Sequence, residues 1–194
     1  MKQTQSEVIF MIGYDIEKVL ETCQIVIDTR EQSNKRAERR YLQFDVPYKK
    51  SALSVGDYCY DAVLPSGKHI IECGTKAITP LTAIERKMDL NELVGCFVSK
   101  KKEQFKKELE RAKILGTKMY LLVEDASWED IYNHRYRSKM EPDTLLGYLI
   151  AYQVRYNMPI IFITAENSGR LIEEILYRDL KERLSNGEFD EPLV

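Results

Sequence analysis

The sequence predicts an α/β fold in which helices flank a mixed central β-sheet. Short apolar runs rich in β-branched residues alternate with longer segments of helical periodicity, which is the pattern of strands joined by helices. Two such runs, 119–123 and 159–164, are apolar throughout and enclose a helical segment, as expected for central parallel strands. Other strand segments follow one another without an intervening helix, so the predicted sheet is mixed.

The first half of the chain is predicted to supply two helices and four strands. Gln24–Asp28 (QIVID) is apolar and β-branched, whereas Leu53–Leu64 alternates around Gly56. Pro47 ends the charged helical segment that lies between these two runs. In chain order we expect a short helix at 14–22, a strand at 24–28, a helix at 33–44 and strands at 53–64, 68–73 and 82–87.

The second half is predicted to add three helices to the strands at 119–123 and 159–164. Asp89 followed three residues later by Glu92 matches a capping box, so we expect one long helix from Asp89 to Leu115, with Gly116 as its C-terminal cap. A second helix is expected at 143–156. The last helix, at 166–184, has apolar residues on one face, namely Leu171, Ile172, Ile175, Leu176, Leu180 and Leu184.

Length and composition restrict the class of protein. A chain of 194 residues suits one domain, here residues 1–194 with a core at about 24–184. No apolar run approaches the ~20 residues of a membrane-spanning helix, and the N-terminus is a poor signal peptide, so we expect a cytoplasmic location. The net charge of −2 argues against non-specific coating of nucleic acid. Any DNA contact must therefore come from local basic patches.

The four cysteines do not form a zinc motif. They are widely spaced, and only two histidines accompany them, whereas zinc sites normally show close pairs of ligands. We therefore expect buried free thiols at Cys23, Cys59, Cys73 and Cys96.

Thr82–Lys87 (TAIERK) carries the first chemical signal. Alternate side chains of a strand share a face, so Glu85 and Lys87 point one way while Ile84 and Arg86 point the other. Phosphodiester cleavage requires hard oxygen ligands for Mg²⁺ or Mn²⁺ and positive charge against the transition state, and this pair supplies both. An isolated Glu-x-Lys is usually a solvated ion pair, so the interpretation depends on its context.

Two further motifs supply that context. Asp57 would lie on the neighbouring strand, where the preceding Gly56 permits a kink or bulge that directs its carboxylate to the same metal. Asp28 ends another predicted strand and is followed by Arg30 and Glu31. Three segments with residues suited to metal-dependent phosphodiester cleavage therefore lie on or next to predicted strands.

These motifs resemble the nuclease domain of the XPF/Hef family. The resemblance rests on Asp28, Arg30 and Glu31, then on Gly56-Asp57-Tyr58, and then on Ile84-Glu85-Arg86-Lys87, and in motif order it covers about residues 25–164. The Glu-Arg-Lys with an upstream Gly-Asp is fairly specific. The segment 145–156 also resembles the later helix of short, stand-alone members from phages and mobile elements.

The resemblance implies a restriction-endonuclease-like fold and cleavage of branched or flap DNA with Mg²⁺ or Mn²⁺. It also implies a homodimer, formed through the helix at 143–156 or through the final helix. In such a dimer, the side chains of Leu171, Ile175 and Tyr177 would be buried from solvent.

Roles for the candidate catalytic residues follow from the chemistry and the resemblance together. Asp57 and Glu85 are expected to be the principal metal ligands, with Asp28 as a nearby acid and third candidate ligand. Lys87 is expected to orient water or stabilise charge. Glu31 and Arg30 are secondary catalytic candidates.

The sequence departs from the family pattern in two places. The signature continues with three residues and an aspartate, but that position here is Asn91, flanked by Asp89 and Glu92. Either a carboxylate is not required there or its role has moved to Glu92, although a capping role is favoured for Asp89 and Glu92. The chain also ends soon after Leu184, and we therefore expect no tandem helix-hairpin-helix domain of the kind by which many members grip DNA.

Two basic stretches are candidate DNA contacts, although such runs often form only a solvated face. In the first stretch, at 100–107, glutamates at helical spacing neutralise part of the positive charge. The second stretch, at 134–139, mixes arginines with Tyr136, which suits phosphate contact and base stacking. Arg86 is a candidate for either a salt bridge or a phosphate contact. The candidate DNA-binding residues are Arg86, Lys100, Lys101, Lys102, Lys106, Arg135, Arg137 and Lys139, and Lys35, Arg36, Arg39 and Arg40 are candidates for lining a groove.

The sequence leaves two alternative functions open. One is a nuclease of the same fold that acts on ordinary duplex or single-stranded DNA. The other is a catalytically silent DNA-binding or scaffolding subunit, against which the joint retention of Asp57, Glu85 and Lys87 argues. We expect branched DNA to be preferred, either by this chain alone or with a partner protein that adds DNA binding.

Overall fold

A computed structural model describes residues 14–73 and 76–190 of the chain. The elements follow one another in the order expected for an α/β fold. They are α1 (Ile16–Leu20), β1 (Gln24–Asp28), α2 (Lys35–Tyr41), β2 (Tyr48–Ser51), β3 (Tyr58–Asp61), β4 (Glu72–Cys73), β5 (Ile78–Thr79), β6 (Thr82–Lys87), α3 (Leu90–Gly95), α4 (Ser99–Leu115), β7 (Lys118–Glu124), α5 (Trp128–Tyr132), α6 (Pro142–Tyr156), β8 (Ile160–Ile163) and α7 (Ser168–Ser185).

Six of these strands form one mixed sheet in the order β2-β1-β3-β6-β7-β8. Strand β3 is antiparallel to both of its neighbours, β1 and β6. The other pairs, β1 with β2, β6 with β7 and β7 with β8, are parallel. Strands β4 and β5 form a separate short antiparallel ladder. The expected mixed α/β class is therefore confirmed.

Two hydrophobic clusters cover opposite faces of the sheet. In β6 and β7, Ile84 and Leu122 belong to the first cluster, whereas the alternate residues Ala83, Leu121 and Val123 belong to the second. Helices α1, α2 and α7 complete the first cluster, and α3, α4 and α6 complete the second. Each face of the sheet is thus covered by helices, as buried parallel strands require.

The final helix covers the sheet with the face that the sequence predicts. On α7 the side chains of Ile172, Leu176, Leu180 and Leu184 are buried, and Leu171 and Ile175 are partly buried against the same cluster. None of the helices in the two described ranges has both the length and the apolar character that crossing a membrane requires.

The helix predicted from Asp89 to Leu115 is divided into α3 and α4. Val98 has extended backbone, with φ −115° and ψ 144°. The break allows Phe97 to enter the core, where its ring stacks on Tyr148 with centroids 5.5 Å apart and meets Phe105 edge-on. Burial of this aromatic ring overrides local helix propensity. The predicted cap at Gly116 is confirmed by its left-handed backbone, with φ 72°.

Several strand predictions differ from the structure. The run at 53–64 forms a strand only over β3, and the run at 68–73 only over β4. Strand β8 lies at the edge of the sheet, so its prediction as a central strand was wrong. Strand β2 was not predicted, because its sequence YKKS lacks an apolar alternation and also lies at an edge. Helix α5 and strand β5 are too short to show a periodic pattern.

Candidate active site

Three strand ends meet at one edge of the sheet. Because β3 is antiparallel to both neighbours, its beginning lies beside the ends of β1 and β6. The N–H of Asp28 donates to the carbonyl oxygen of Asp57 at 2.8 Å, and the N–H of Asp57 donates to the carbonyl oxygen of Ile84 at 2.9 Å. The three motifs separated in the sequence are thereby brought together.

Gly56 makes this close approach possible. Its φ of +73° is in the left-handed region, and an added Cβ would lie 2.8 Å from the Cβ of Ala83. A side chain at this position would be both strained and obstructed. The glycine therefore allows Asp57 to lie directly against β6.

Asp57, Glu85 and Lys87 form the centre of the candidate site. The backbone N–H of Arg86 donates to Oδ2 of Asp57 at 2.8 Å. The Lys87 ammonium contacts Oε1 of Glu85, and both side chains are buried, with 8% and 6% of the respective residues exposed. Lys87 Nζ also lies 5.7 Å from the centre of the Phe105 ring on α4. The predicted common face of Glu85 and Lys87 is present in the structure.

Burial and neighbouring carboxylates disfavour the charged forms of Asp57 and Glu85. Burial and the negative charge of Glu85 raise the pKa of Asp57 well above its ordinary value, and Lys87 offsets this only in part. Burial also raises the pKa of Glu85. Burial opposes the charge of Lys87, but Glu85, Cys96 and Asp57 together outweigh it, so the pKa of Lys87 is also raised. The Lys87 ammonium is therefore charged, but its positive charge only partly compensates the negative charges of the two carboxyl groups beside it.

Asp28 makes contacts other than those expected of a metal ligand. Its carboxylate accepts hydrogen bonds from Nε and Nη2 of Arg30 at 2.9 and 2.7 Å, and from the N–H of Leu53 at 3.0 Å. These bonds outweigh the effect of burial and lower the pKa of Asp28. Both carboxylate oxygens thus bind protein donors, and in this geometry Asp28 orients Arg30 and the backbone before Asp57.

Glu31 belongs to a buried network of charges behind the site. Its Oε1 accepts from the Tyr58 hydroxyl at 2.8 Å and pairs with Arg40 at 3.1 Å and with Arg86 at 3.2 Å. Glu124, at the end of β7, is fully buried and binds Arg40 through Oε1 at 2.9 Å. Its Oε2 lies 3.5 Å from Arg86. Arg86 is therefore a partly buried salt-bridge residue, which is one of the two roles left open for it.

The groove prediction for Arg40 was wrong, since only 2% of this residue is exposed and its guanidinium binds Glu124 and Tyr58. Arg36 also turns inward, to Glu124 at 2.8 Å and Asp125 at 2.7 Å. Sequence reasoning missed Glu124 altogether, because an acid that ends an apolar strand gives no local sign of arginine partners that are distant along the chain. The exposed Lys35 and Arg39 keep their positions on the surface of α2.

An open cavity of about 270 Å³ lies at the strand ends. The residues that line it include Arg30, Glu31, Asp57, Arg86 and Lys87 from the three motifs. Glu85 and Asp28 are not among the lining residues, and they lie beneath Lys87 and Arg30 respectively, in direct contact with them. Four of the six predicted catalytic residues therefore face one cavity, together with Arg86.

The donor set fits a hard divalent cation with few protein ligands. Among the described residues, no group of three or more His, Cys, Asp or Glu side chains is arranged as a complete metal site. Asp57 and Glu85 nevertheless form a close pair of acids whose raised pKa values a nearby cation would reverse. Mg²⁺ commonly uses one or two carboxylates and retains several waters, so two acids are sufficient.

Asn91, which replaces the aspartate of the family signature, contacts the basic loop after α5 and not Asp57 or Glu85. Oδ1 of Asn91 accepts the N–H of Arg137 at 2.9 Å. Asp89 accepts the N–H of Glu92 at 2.8 Å, which confirms its predicted capping role. Glu92 differs from an ideal capping box by accepting the N–H of Met88, at 2.6 Å, in place of that of Asp89. Glu92 also lines the cavity.

The candidate DNA-binding residues other than Arg86 lie on α4 and in the loop after α5. Lys101, Lys102 and Lys106 lie on α4, whereas the side chain of Lys100 is outside the described residues. Arg135, Arg137 and Lys139 are exposed in the loop after α5, and Arg135 pairs with Asp130 at 3.0 Å. Stacking of bases on Tyr136 is excluded, because its ring is buried and its hydroxyl donates to the carbonyl oxygen of Met140.

The comparisons with known proteins agree with this geometry. The chain matches the ERCC4 domain over residues 27–175. XPF from Aeropyrum pernix has a similar structure, with a TM-score of 0.55 and 17% sequence identity over 85% of this chain and 68% of that chain. Its complex with DNA gives a TM-score of 0.54 and 17% identity over 83% and 66%, so this chain spans about two thirds of that length. No curated protein matches the chain.

The sheet topology and the similar structures define a restriction-endonuclease-like domain. Because the ERCC4 match covers most of the chain, the chain belongs to the ERCC4 domain family, the XPF type of nuclease domain. The expected fold and the expected family are thereby confirmed. Family membership supports DNA nuclease as the general function.

The opposite pKa shifts of two aspartates predict opposite effects of neutralising them. Asp57→Asn should raise the free energy of unfolding at pH 7 by about 0.5–2 kcal/mol, because folding raises the pKa of this carboxyl and its ionised form is unfavourable. Asp28→Asn should lower it by about 1–3 kcal/mol, because the Arg30 ion pair is lost. Urea unfolding in EDTA measures both.

Both effects should shrink as the pH falls. The Asp57 penalty is absent below the unfolded pKa of about 4, where the carboxyl is protonated in both states. The Asp28 stabilisation is present above the same unfolded pKa and is lost as the pH falls through its lowered folded pKa. An Asp57→Asn protein that is less stable than the parent at pH 7 would contradict the repulsion between Asp57 and Glu85.

Proposed function

We propose that the chain is a metal-dependent DNA endonuclease that hydrolyses phosphodiester bonds in the cavity at the ends of β1 and β6. The supporting observation is the buried Glu85–Lys87 pair beside Asp57. The pKa of Asp57 is raised by burial and by Glu85, so a bound cation would stabilise its charged form. Strongly perturbed acids beside a lysine in a cavity are typical of a catalytic site. We also propose that residues 1–194 act as one nuclease domain.

Asp57 and Glu85 would hold Mg²⁺ or Mn²⁺. When bound, such a cation supplies positive charge against the phosphate and acidifies a water molecule. Asp57 is held for this purpose by three backbone contacts, with Asp28, Ile84 and Arg86. In this proposal Asp28 becomes a positioning residue, because its two oxygens already bind Arg30 and Leu53.

The cationic side chains of the cavity stabilise the substrate phosphate. Lys87 keeps its ammonium charged through Glu85 and faces the cavity, so it can stabilise negative charge or orient a water. Arg30 is anchored by Asp28, although 64% of its side chain is exposed, and it can reach a phosphate at the rim. Glu31 holds Arg86 in the cavity wall at 3.2 Å.

The charge arrangement favours an enzyme over a silent scaffold. A subunit that only binds DNA gains nothing from two acids whose pKa values burial and neighbouring carboxylates raise. A nuclease that acts on ordinary duplex or single-stranded DNA uses the same cavity, and only the choice of substrate separates it from a cutter of branched DNA. Cleavage assays on different DNA shapes decide between them.

Cleavage is expected to require Mg²⁺ or Mn²⁺ and to stop in EDTA. Asp57→Ala and Glu85→Ala should each lower kcat by more than the ~10–100-fold that loss of an outer-shell metal partner costs. Lys87→Ala should lower kcat by about 10²–10³-fold, with a smaller effect on the affinity for the cation. Labelled linear, flap, fork and four-way DNAs provide the assay, and calorimetry with Mn²⁺ measures the affinity.

Lys113→Ala is the matched control for Lys87→Ala, because Lys113 is exposed near the end of α4 and does not line the cavity. It should cut DNA at the parent rate. Parent-like cleavage by folded Asp57→Ala or Glu85→Ala protein would overturn the proposed site. A Lys87→Ala protein with normal turnover but lost cation affinity would overturn the proposed role of Lys87.

A basic groove between α4 and α6 is the proposed path of one DNA arm. It has a volume of about 570 Å³, and its lining has an excess of positive charge, because Lys102, Lys106 and Arg155 outnumber Glu103 and Asp143. Phe105 connects the groove with the cavity, because its ring centre lies 5.7 Å from the Lys87 ammonium and 6.1 Å from the ring centre of Tyr152. A strand that leaves the cavity would therefore meet three cations at once.

Branched DNA is expected to be cut faster than linear duplex at matched ionic strength. A branch reaches the groove and the Arg135–Lys139 loop together without the elastic cost of about 1–6 kcal/mol that bending intact duplex requires. The Arg135→Ala/Arg137→Ala and Lys102→Ala/Arg155→Ala variants should each weaken binding and reduce its salt slope by about 1.4–1.8. Fluorescence anisotropy at several salt concentrations measures this.

The exposed pair Lys113→Ala/Arg178→Ala serves as control, since both residues lie away from the groove and the loop. It should leave the slope unchanged. Equal cleavage of linear and branched DNA would reject the substrate preference, while the nuclease proposal would remain.

We propose that the chain forms a homodimer through α6. Ile150 and Val154 on this helix are 46% and 78% exposed, and neither is among the residues that line the groove. Light scattering at micromolar concentration should give twice the mass of one chain, and Val154→Glu should give a single chain. Leu42→Glu is the control, because Leu42 is 85% exposed on another element. A parent protein with the mass of one chain would reject the dimer.

A further inference from the structure

The backbone before Asp57 is held mainly by side chains. In the segment Leu53–Gly56, the N–H of Leu53 donates to Asp28 at 3.0 Å, and its carbonyl oxygen accepts from Arg30 at 3.2 Å. The carbonyl oxygen of Ser54 accepts from Arg111 at 3.1 Å. The N–H of Gly56 donates to Oε1 of Glu108 at 3.2 Å.

Two of these four contacts come from α4, outside the three motifs. Glu108 and Arg111 are three residues apart, so they lie on one face of the helix. Phe105 is a further three residues earlier, and its ring contacts the Lys87 ammonium. One face of α4 therefore contacts both the turn that carries Asp57 and the lysine of the site.

The Glu108 carboxylate provides a hydrogen-bond acceptor for the Gly56 N–H, which has few alternative acceptors. Gly56 is buried, and its left-handed backbone directs the N–H away from the sheet ladder. A buried N–H without a partner is unfavourable, so loss of the Glu108 oxygen would favour another conformation of the turn. Because Asp57 follows Gly56 directly, such a change would move its carboxylate.

We propose that Glu108 and Arg111 are positioning residues, which fix the carboxylate of Asp57 through the backbone of Ser54 and Gly56. The inference rests on the proposed nuclease function for its effect on activity, but not for the contact itself. Glu108 acts here through an uncharged property, the acceptance of one hydrogen bond. Its charge is a cost to the site, since it helps to raise the pKa of Glu85.

The distinction between hydrogen-bond acceptance and charge predicts different effects for two substitutions of Glu108. Glu108→Gln keeps an oxygen that accepts the Gly56 N–H, whereas Glu108→Ala removes it. Glu108→Ala should lower kcat and Mn²⁺ affinity by about 10–100-fold, with KM for DNA unchanged, as loss of an outer-shell partner does. Glu108→Gln should restore both to near the parent values. Arg111→Ala should lower kcat less, because Ser54 lies further from Asp57.

Hydrogen exchange provides a readout that does not depend on cleavage. The Gly56 amide of ¹⁵N-labelled Glu108→Ala protein should exchange at least about tenfold faster than in the parent, while Glu108→Gln retains protection. Glu110→Ala is the matched control, because Glu110 lies on the same helix but accepts from the Tyr156 hydroxyl at 2.7 Å. It should change neither exchange at Gly56 nor kcat. Urea unfolding verifies that each variant is folded.

The outcomes separate this inference from the proposed function. If the parent cuts no DNA, the function fails, and exchange at Gly56 together with Mn²⁺ affinity still tests the positioning role. Parent-like exchange and Mn²⁺ affinity in Glu108→Ala would overturn it. It would also be overturned if Glu108→Gln were as defective as Glu108→Ala, since the charge of Glu108 would then be the property that the site requires.

Discussion

The contact between the Gly56 turn and β6 is the constraint on which the candidate site depends. A Cβ at Gly56 would lie 2.8 Å from that of Ala83, so only glycine fits between the strands. This approach allows the backbone of Asp57 to bond Asp28 on one side and Ile84 on the other. Sheet topology alone would bring the strand ends to one edge, but the glycine brings the Asp57 carboxylate into contact with β6.

Buried charge is handled in two opposite ways around this turn. Behind it, Arg40 and Arg86 face Glu31 and Glu124, and the pKa of Glu124 is lowered because these arginines outweigh its burial. Such a compensated network favours one arrangement of the strands and helices that supply it. In front, Asp57 has a carboxylate neighbour, and its pKa is raised. The rigid, neutralised network thus supports a site whose own charges oppose folding.

The sequence predicted those features that are encoded locally. The apolar run of β1, the alternation of β6 and the helix cap at Asp89 are short-range patterns, and the structure contains all three. The inward turn of Arg40, the burial of Tyr136 and the contact of Glu108 with Gly56 depend on residues distant in the chain. Such contacts follow from packing, which a single sequence does not display.

The compensated charges also determine where DNA can be attracted. Arg40 and Arg86 are paired with glutamates and Lys87 with Glu85, so the cavity itself offers little excess positive charge before a cation binds. Under the proposed function, long-range attraction must therefore come from the α4–α6 groove and from the loop that Asn91 holds through Arg137. Capture and chemistry then use separate groups. Under the same proposal, the spacing of those two basic surfaces around the cavity would determine the choice among DNA shapes.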